Sequence, residues 1–312
     1  MSVVVLAGGL SAERDVSLRS GRRLAEALRE EGVEVSVLDL DANLLPALQA
    51  QQPQVVIPLV HGAVGEDGSL ADVLDALELP YVGSGPVACR QSFDKAIAKG
   101  IVGAAGLTVP SGYSLPHGIF RDLGAPAVMA AIIDRLGLPL MVKPTRGGSA
   151  LGTTLVNTDE DLPPAMVAAF AYGDSAMLEQ FVTGTEVAVS VVDLGDGPQA
   201  LPAVEIQPRS GIYDYAARYT AGETEFFVPA RITDEQARAC AEAAVRAHEA
   251  LGLRDWSRMD FMVDGPVPVF LEANVAPGMT ETSLFPQAAA AADTTLGKIA
   301  TALIARATDR RS

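Results

Sequence analysis

The chain has 312 residues, 49% of them hydrophobic, which favours two or three domains with a substantial core. Its 39 acidic and 23 basic residues give a net charge of −16, which argues against nucleic acid or an anionic membrane as the main partner. An anionic nucleotide is not excluded, because a few lysines and a metal ion can reverse the local field. The two cysteines, Cys89 and Cys240, are too few for a disulfide framework, and no signal peptide or long apolar segment is recognisable. We therefore expect a cytoplasmic protein that does not enter a membrane.

Short apolar segments recur in the first part of the chain. The predicted strands are Val3–Ala7, Val33–Leu38 and Val55–Leu59. A helix is predicted over about 14–31, between the first two strands. This order predicts a doubly wound α/β unit around a parallel sheet, whose ligands bind at the carboxyl ends of the strands.

Two glycine-containing segments, Gly8–Glu13 and His61–Gly68, lie at such strand ends. The first does not fit the GxGxxG pattern, so a dinucleotide site is weakly supported, and a small charged substrate is the better hypothesis. Glu13 can pair with an ammonium group, while N–H groups at a helix N-terminus can take a carboxylate. The alternatives are a helix-start carboxylate for Glu13 and a histidine satisfied by the backbone for His61.

Further elements follow in chain order. They are a helix opening at Gln91–Lys99, strands at Leu138–Val142, Thr153–Val156, Met177–Phe181 and Val187–Val192, and an amphipathic helix over about 287–307. Segment 208–222 interrupts the strand pattern and holds three of the six tyrosines. It is predicted to be an ordered lid, with a long surface loop as the alternative.

Lys143 ends one of these strands and is followed by the glycine-rich segment 145–152, which includes Ser149. Such a lysine next to glycine-rich backbone is typical of a phosphate cradle, although the P-loop pattern is absent and a flexible hairpin loop is the alternative. Lys95 and Lys143 are therefore the two candidate phosphate counter-charges. Glu179 and Glu186 can bind a base and a sugar, or they can be ordinary exposed acids.

The C-terminal part contains a predicted hairpin with strands at Arg258–Val263 and Pro268–Ala273. The alternation of side chains places a set of residues on one face of this hairpin. The set is Arg258, Asp260 and Met262 from the first strand, with Phe270, Glu272 and Asn274 from the second. Two carboxylates and an amide oxygen are ligands that suit Mg²⁺, and substrate phosphates would complete its coordination. The alternative is a pair of solvated carboxylates on an edge hairpin.

Several of these segments together resemble one family, the D-alanine–D-alanine ligases, which are ATP-grasp enzymes. The matching segments are GGLSAERDVSLRSG, HGAVGEDGSL, FDK at 93–95, VKPTRGGSALG, LEQFVTGTE, YDYAARY and RMDFMV…FLEANVAPGMTETSLFP. The resemblance runs from residue 3 to about 305. It implies three α/β domains at 1–92, 93–180 and 181–312, the first of them the doubly wound unit and the last carrying the lid. It also implies a cytoplasmic homodimer that makes D-alanyl-D-alanine for peptidoglycan synthesis.

The resemblance assigns roles around ATP and the metal. Lys95, Lys143 and Arg218 are implied to meet ATP phosphates, and Glu179 and Glu186 to bind adenine and ribose. The implied ligands of two Mg²⁺ ions, which Mn²⁺ can replace, are Asp260, Glu272 and Asn274.

The resemblance also assigns roles around the two D-alanines. Glu13 is implied to receive the ammonium of the first D-alanine and to be tied to Ser149 and Tyr219, with His61 nearby. Arg258 and the Gly278 N–H are implied to stabilise the oxyanion, and Ser283 to hold the carboxylate of the second D-alanine. The implied reaction passes through an acylphosphate.

The sequence departs from the family at three positions. Arg218 replaces a usual lysine, Gly147 replaces an acid that many members have, and Glu281 replaces a common serine near the second-substrate site. Because Glu281 adds a carboxylate there, a related ligase with a different second amino acid is an alternative. The resemblance implies that Tyr219 favours an amine over a hydroxy acid as the second substrate. From another class, a non-catalytic nucleotide-binding protein remains an alternative.

Overall fold

The computed structural model describes residues 2–220 and 222–310. The side chain of Tyr219, to which the sequence assigns a role, lies outside this description. Within the described part, no helix combines the length and apolarity that crossing a bilayer requires.

The first part of the chain forms a parallel sheet of three strands. They are β1 (Ser2–Ala7), β2 (Glu34–Asp39) and β3 (Val55–Pro58), in the order β2-β1-β3. The helices up to residue 104 are α1 (Arg14–Glu30), α2 (Leu44–Gln51), α3 (Ala63–Glu66), α4 (Ser69–Ala76), α5 (Pro86–Phe93) and α6 (Lys95–Ala104). The predicted strands and the first helix are confirmed.

Helices cover both faces of this sheet because β1 is apolar on both sides. Val3 and Val5 pack in one core with Leu24 of α1, whereas Val4 and Leu6 pack in another core with residues of α2 and α4. The predicted doubly wound unit is therefore confirmed.

The predicted helix opening at Gln91–Lys99 is wrong in one respect, since two helices meet there. Asp94 adopts an extended conformation between α5 and α6, and its carboxylate accepts hydrogen bonds from the N–H groups of Ala96 and Ile97 at 3.1 and 3.2 Å. An aspartate that caps a helix in this way ends the preceding helix and starts the next.

The second sheet is antiparallel. Its strands are β4 (Gly112–Pro116), β5 (Leu140–Pro144), β6 (Thr154–Val156) and β7 (Ser175–Gln180), in the order β4-β7-β5-β6. Its helices are α7 (His117–Leu123), α8 (Ala125–Leu136) and α9 (Leu162–Phe170), with a 3₁₀ turn at Asp159–Asp161. The three strands predicted in this region are confirmed within about two residues.

The third sheet contains the predicted hairpin. Its strands are β8 (Thr185–Asp193), β9 (Pro198–Ala200), β10 (Val204–Pro208), β11 (Thr224–Phe227), β12 (Trp256–Val263) and β13 (Val269–Asn274). The order is β11-β10-β8-β12-β13, with β9 paired to β8. Its helices are α10 (Tyr215–Tyr219), α11 (Asp234–Ala250), α12 (Leu284–Ala291) and α13 (Leu296–Asp309).

The single helix predicted over about 287–307 is wrong, because α12 and α13 divide this segment. Asp293 between them has a φ of 54°, which a continuing helix does not allow. The Thr295 side chain then caps α13 by accepting a hydrogen bond from the Lys298 N–H at 3.1 Å.

Helices α13 and α6 pack against sheets formed by other parts of the chain. Leu303 and Ile304 of α13 pack with Val3 and Val55 of the first sheet, and Val102 of α6 packs with Phe270 of the third sheet. The three sheets fall within 1–92, 93–180 and 181–312, and the domain boundaries at these positions stay a prediction.

Candidate functional site

Two adjacent cavities lie between the three sheets. The first measures about 370 Å³ and the second about 360 Å³. The first is lined by the residues predicted to meet ATP and the metal: Lys95, Lys143, Glu179, Glu186, Arg218, Asp260 and Glu272. The second is lined by the residues predicted to meet the amino acids: Glu13, His61, Ser149, Arg258, Gly278 and Ser283, with Asn274. Lys95, Arg218 and Glu272 line both cavities, so the two cavities adjoin and share these residues as part of their walls.

The hairpin of β12 and β13 places Asp260 and Glu272 at the first cavity, and Glu272 also lines the second. Asp260 pairs with Glu272, and Arg258 pairs with Asn274, as the alternation predicted. The register shifts after Asp260, so that Phe261 pairs with Phe270.

This β-bulge corrects one prediction about the hairpin face. Phe270 does not share the face of Glu272, because the extra residue Leu271 turns toward the first cavity while Phe270 is buried against Phe261. The bulge therefore keeps an apolar core beneath the hairpin and a polar face above it.

Arg258 and Asp260 form a buried, doubly hydrogen-bonded pair. The Nε and Nη2 atoms of Arg258 donate to Oδ1 and Oδ2 of Asp260 at 2.7 and 2.8 Å. Burial alone would lower the pKa of the guanidinium, but the adjacent Asp260 holds it above its ordinary value. Arg258 is therefore a permanent cation at the wall of the second cavity.

Glu272 lies 3.3 Å from Lys95. Burial alone would raise the pKa of Glu272, but Lys95 and Arg218 hold it below its usual range. Two residues further along β13, Asn274 Oδ1 accepts a hydrogen bond from the Ala276 N–H at 3.0 Å and keeps a second lone pair.

The oxygen atoms of Asp260, Glu272 and Asn274 fit a hard divalent cation in their chemistry. The third donor of this set is an amide, and the described residues contain no group of three or more His, Cys, Asp or Glu placed to hold a metal ion. The rest of the coordination would come from water and phosphate oxygens, as Mg²⁺ prefers.

The glycine-rich loop closes over Lys95. The Lys95 Nζ donates to the Gly147 carbonyl at 2.6 Å, and the Lys95 N–H donates to the Thr145 carbonyl at 2.8 Å. Ser149, which has a φ of 54°, donates its hydroxyl hydrogen bond to Glu13. The loop thus connects the start of α6 with the start of α1, across both cavities.

Two lysines hold Glu179 in the first cavity. Lys143 Nζ lies 2.5 Å from Oε1, and Lys99 Nζ donates to Oε2. Burial alone would raise the pKa of Glu179, but the two lysines hold it below its ordinary value. Burial and the nearby Lys143 lower the pKa of Lys99 to about 7. Sequence reasoning missed Lys99, although its place one turn after Lys95 on the same helix face was a usable signal. Binding of adenine by Glu179 stays a prediction.

The lid segment lines both cavities. Arg218 stacks over the Tyr213 ring with its guanidinium carbon 4.2 Å from the ring centroid. Beneath it, burial raises the pKa of Glu186 to about 7, although Arg218 works against this. Arg218 thus faces the cavity as a cation despite replacing the usual lysine.

Glu13 lies at the start of α1 with a second acid close by. A Cβ on Gly148 would lie 3.0 Å from Glu13 Oε1, so the glycine loop approaches the carboxylate closely. Glu66 Oε2 accepts a hydrogen bond from the Gly62 N–H at 2.9 Å, and burial together with Glu13 raises the pKa of Glu66 to about 8. Sequence reasoning missed Glu66, which lies within the His61–Gly68 segment already singled out.

His61 is buried beside the loop 275–283. Burial and the nearby Arg258 lower the pKa of His61 to about 4, so the ring is neutral at physiological pH. In the loop, Ser283 Oγ accepts a hydrogen bond from the Thr280 N–H at 2.9 Å, and a Cβ on Gly278 would lie 2.9 Å from that oxygen. A side chain at 278 would therefore force the Ser283 hydroxyl to move.

Glu281 is exposed and is not among the described residues that line the second cavity, whereas Thr280 and Thr282 are. Its predicted influence on the second substrate would therefore have to act from outside the cavity wall.

The two cavities differ in the chemistry that they can perform. The first offers lysine and arginine cations beside carboxylates, which suits the phosphates of a nucleotide with a divalent cation. The second offers a carboxylate for an ammonium group and a guanidinium for a developing oxyanion.

Comparison with known proteins identifies the family. The model of the family described as D-ala D-ala ligase C-terminus matches residues 102–305. The D-alanine–D-alanine ligase of Anaeromyxobacter sp. (strain K) is 42% identical over 92% of this chain and 91% of its own length. The corresponding ligase of Bordetella petrii is 40% identical over 98% of this chain and 91% of its own length.

Solved structures agree with this result. The D-alanine–D-alanine ligase from Bacillus anthracis complexed with ATP has a TM-score of 0.83 at 26% identity and covers 100% of this chain and 98% of its own. The VanG D-Ala:D-Ser ligase from Enterococcus faecalis has a TM-score of 0.84 at 26% identity, covering 98% of this chain and 99% of its own. The chain therefore belongs to the D-alanine–D-alanine ligase family and has its ATP-grasp fold.

Proposed function

We propose that this protein is an ATP-dependent ligase that joins two molecules of D-alanine to D-alanyl-D-alanine for peptidoglycan precursor synthesis. The observation that carries the proposal is that the two cavities adjoin and share Lys95, Arg218 and Glu272 as wall residues. A nucleotide in the first cavity and an amino acid at Glu13 in the second would meet at this junction. The names of the relatives support D-alanine as the amino acid.

In the first step, Glu13 binds the ammonium of the first D-alanine and leaves its carboxylate free to attack the γ-phosphate of ATP. The carboxylate oxygen forms the new bond to phosphorus, the bond to the bridging oxygen breaks, and ADP leaves. Such a transfer needs positioning and neutralised phosphate oxygens more than a nucleophilic side chain. Lys95, Lys143 and Arg218 are the cations that line the first cavity for this purpose.

In the second step, the amine of the second D-alanine attacks the acylphosphate carbonyl, loses a proton and displaces phosphate. Arg258 and the Gly278 N–H stabilise the oxyanion that develops, and Ser283 holds the carboxylate of the incoming amino acid. The lid with Arg218 and the loop with Ser149 exclude water, which would otherwise hydrolyse the acylphosphate.

Asp260, Glu272 and Asn274 would hold up to two Mg²⁺ ions, which Mn²⁺ can replace. Bound there, the ions would supply positive charge to the phosphate oxygens and orient them. The donor set fits because all three side chains offer hard oxygen atoms.

We further propose that the protein works in the cytoplasm as a homodimer. Both cysteines, Cys89 and Cys240, are buried and unpaired, which is compatible with a reducing compartment that also supplies ATP. Light scattering coupled to gel filtration measures the oligomer, and a monomer at micromolar concentration would contradict the dimer.

The proposed reaction is tested by phosphate release from ATP and MgCl₂ across D- and L-amino acids and D-lactate, with the product mass determined. We expect D-alanine alone to give D-alanyl-D-alanine. Turnover only with a mixed pair would replace the proposal by a related ligase with another second amino acid. No phosphate release with any substrate would favour a non-catalytic nucleotide-binding protein.

A further inference from the structure

Helix α1 contacts the loop 275–283 directly, at Ser20 and Arg23, which follow Glu13 at the helix start. Ser20 Oγ, fully buried on α1, accepts a hydrogen bond from the Met279 N–H at 3.0 Å and lies 3.4 Å from Nε2 of His61. The peptide group that joins Gly278 to Met279 is therefore fixed to α1.

Arg23, one turn further along α1, holds the next two carbonyl groups of this loop. Its Nη1 donates to the Met279 carbonyl at 3.3 Å and also to the Thr280 carbonyl. Both backbone polar groups of Met279 are thus bonded to α1 side chains. Because the Thr280 N–H in turn donates to Ser283 Oγ, the orientation of Ser283 depends on the same contact.

The Met279 side chain strengthens this attachment. It is fully buried in the core that also contains Leu24 of α1 and Phe285 of α12. A backbone segment held by buried packing and by hydrogen bonds at consecutive peptide groups has little freedom to shift.

Ser20 lies about two helical turns after Glu13, hence on the same side of α1 and about 10 Å away along the axis. We propose that Ser20 and Arg23 are positioning residues, which hold the loop 275–283 at a fixed distance from Glu13 and so set where the second amino acid meets the first. This role rests on the proposed function, in which Glu13 binds one substrate and Gly278 and Ser283 act on the other. Helix α1 would then be the rigid element that spaces the two amino-acid subsites.

Arg23→Met tests the proposal, with Arg29→Met as its matched control. Arg29 is on the same helix and donates to a backbone carbonyl, that of Val35 at 3.2 Å, but it does not touch the loop. Without substrates, we expect amide hydrogen exchange in 275–283 to rise about tenfold or more in Arg23→Met and to stay unchanged in Arg29→Met. Ser20→Ala should raise the exchange rate of the Met279 amide in the same way.

The kinetic readout separates positioning from a general loss of stability. We expect the KM for the second D-alanine to rise at least about fivefold and kcat to fall in Arg23→Met, with the KM for ATP within about twofold of wild type. Arg23→Lys retains a cationic donor for the carbonyls and should recover part of the loss.

Each result decides one point. The positioning role is overturned if Arg23→Met and Ser20→Ala leave both the amide exchange and the KM for the second D-alanine unchanged. The proposed function is still upheld in that case if the wild type is active. Equal rises in the KM for ATP and for D-alanine also overturn the positioning role, because they indicate a general defect. A wild type that makes no dipeptide overturns the proposed function itself, and this role falls with it.

Discussion

Replacement of Arg258 by methionine is expected to lower the free energy of unfolding by about 3–5 kcal/mol, the cost of leaving one partner of a buried ion pair uncompensated. The reason lies in the geometry. Asp260 is 2% exposed, and both of its oxygen atoms accept hydrogen bonds from Arg258, at 2.7 and 2.8 Å. Methionine has a similar length and no charge, so it fills most of the space but leaves the carboxylate without its cation.

A double variant isolates this interaction from packing. Asp260→Asn removes the charge that Arg258 compensates, so Arg258→Met with Asp260→Asn should be destabilised by clearly less than the sum of the single variants. If Asp260 is a metal ligand, MgCl₂ should restore part of the stability of Arg258→Met, because a divalent cation can replace the lost positive charge. The double variant should gain less from MgCl₂.

Urea unfolding can be followed at the same strand, because the only tryptophan of the chain, Trp256, begins β12 and is 1% exposed. Its fluorescence therefore reports the unfolding of the sheet that carries Arg258. An Arg258→Met variant within about 1 kcal/mol of wild type, or single-variant losses that simply add, would refute the assignment of a tightly coupled buried pair.

Two further predictions concern the metal site and acid stability. Glu272→Gln should lower Mg²⁺-stimulated phosphate release at least about tenfold, since Glu272 is a predicted ligand, and an unchanged Mg²⁺ titration curve would contradict this. Burial lowers the pKa of His248 to about 4. As the pH falls below about 6.5, this histidine becomes protonated in the unfolded state while it stays neutral in the folded state, so the free energy of unfolding decreases. Between pH 7 and pH 5, wild type should therefore lose about 2 kcal/mol more than His248→Gln in urea unfolding, and parallel losses would show that His248 does not titrate as expected.

The hairpin shows how far a local pattern can predict a site. Alternation along two strands was sufficient to bring Asp260 opposite Glu272 and Arg258 opposite Asn274. The bulge at Leu271 could not be predicted from the alternation. Where an extra residue is inserted in a strand depends on its contacts with the neighbouring strand and with the core beneath it. Phe270 was consequently assigned to the wrong face.

Site residues that contact partners far away in the sequence were harder to predict. Lys99 meets Glu179, 80 positions away, and Ser20 meets Met279, 259 positions away. A lysine and a serine on helices have many ordinary explanations, and no spacing in the sequence connects them with their partners. In contrast, the split at Asp94 was locally readable, since aspartate is a preferred N-cap.

The lining of the first cavity gives a physical reason why a nucleotide would need a metal ion there. Its ionisable residues are four bases, Lys95, Lys143, Arg146 and Arg218, and four acids, Glu179, Glu186, Asp260 and Glu272. Bases and acids are therefore equal in number, although the chain as a whole has a charge of −16. A nucleoside triphosphate adds several negative charges that such a lining does not compensate, and burial makes an uncompensated charge costly. Divalent cations beside Asp260 and Glu272 would supply the missing charge where the phosphates enter, which is why metal binding and nucleotide binding are expected to depend on each other in this protein.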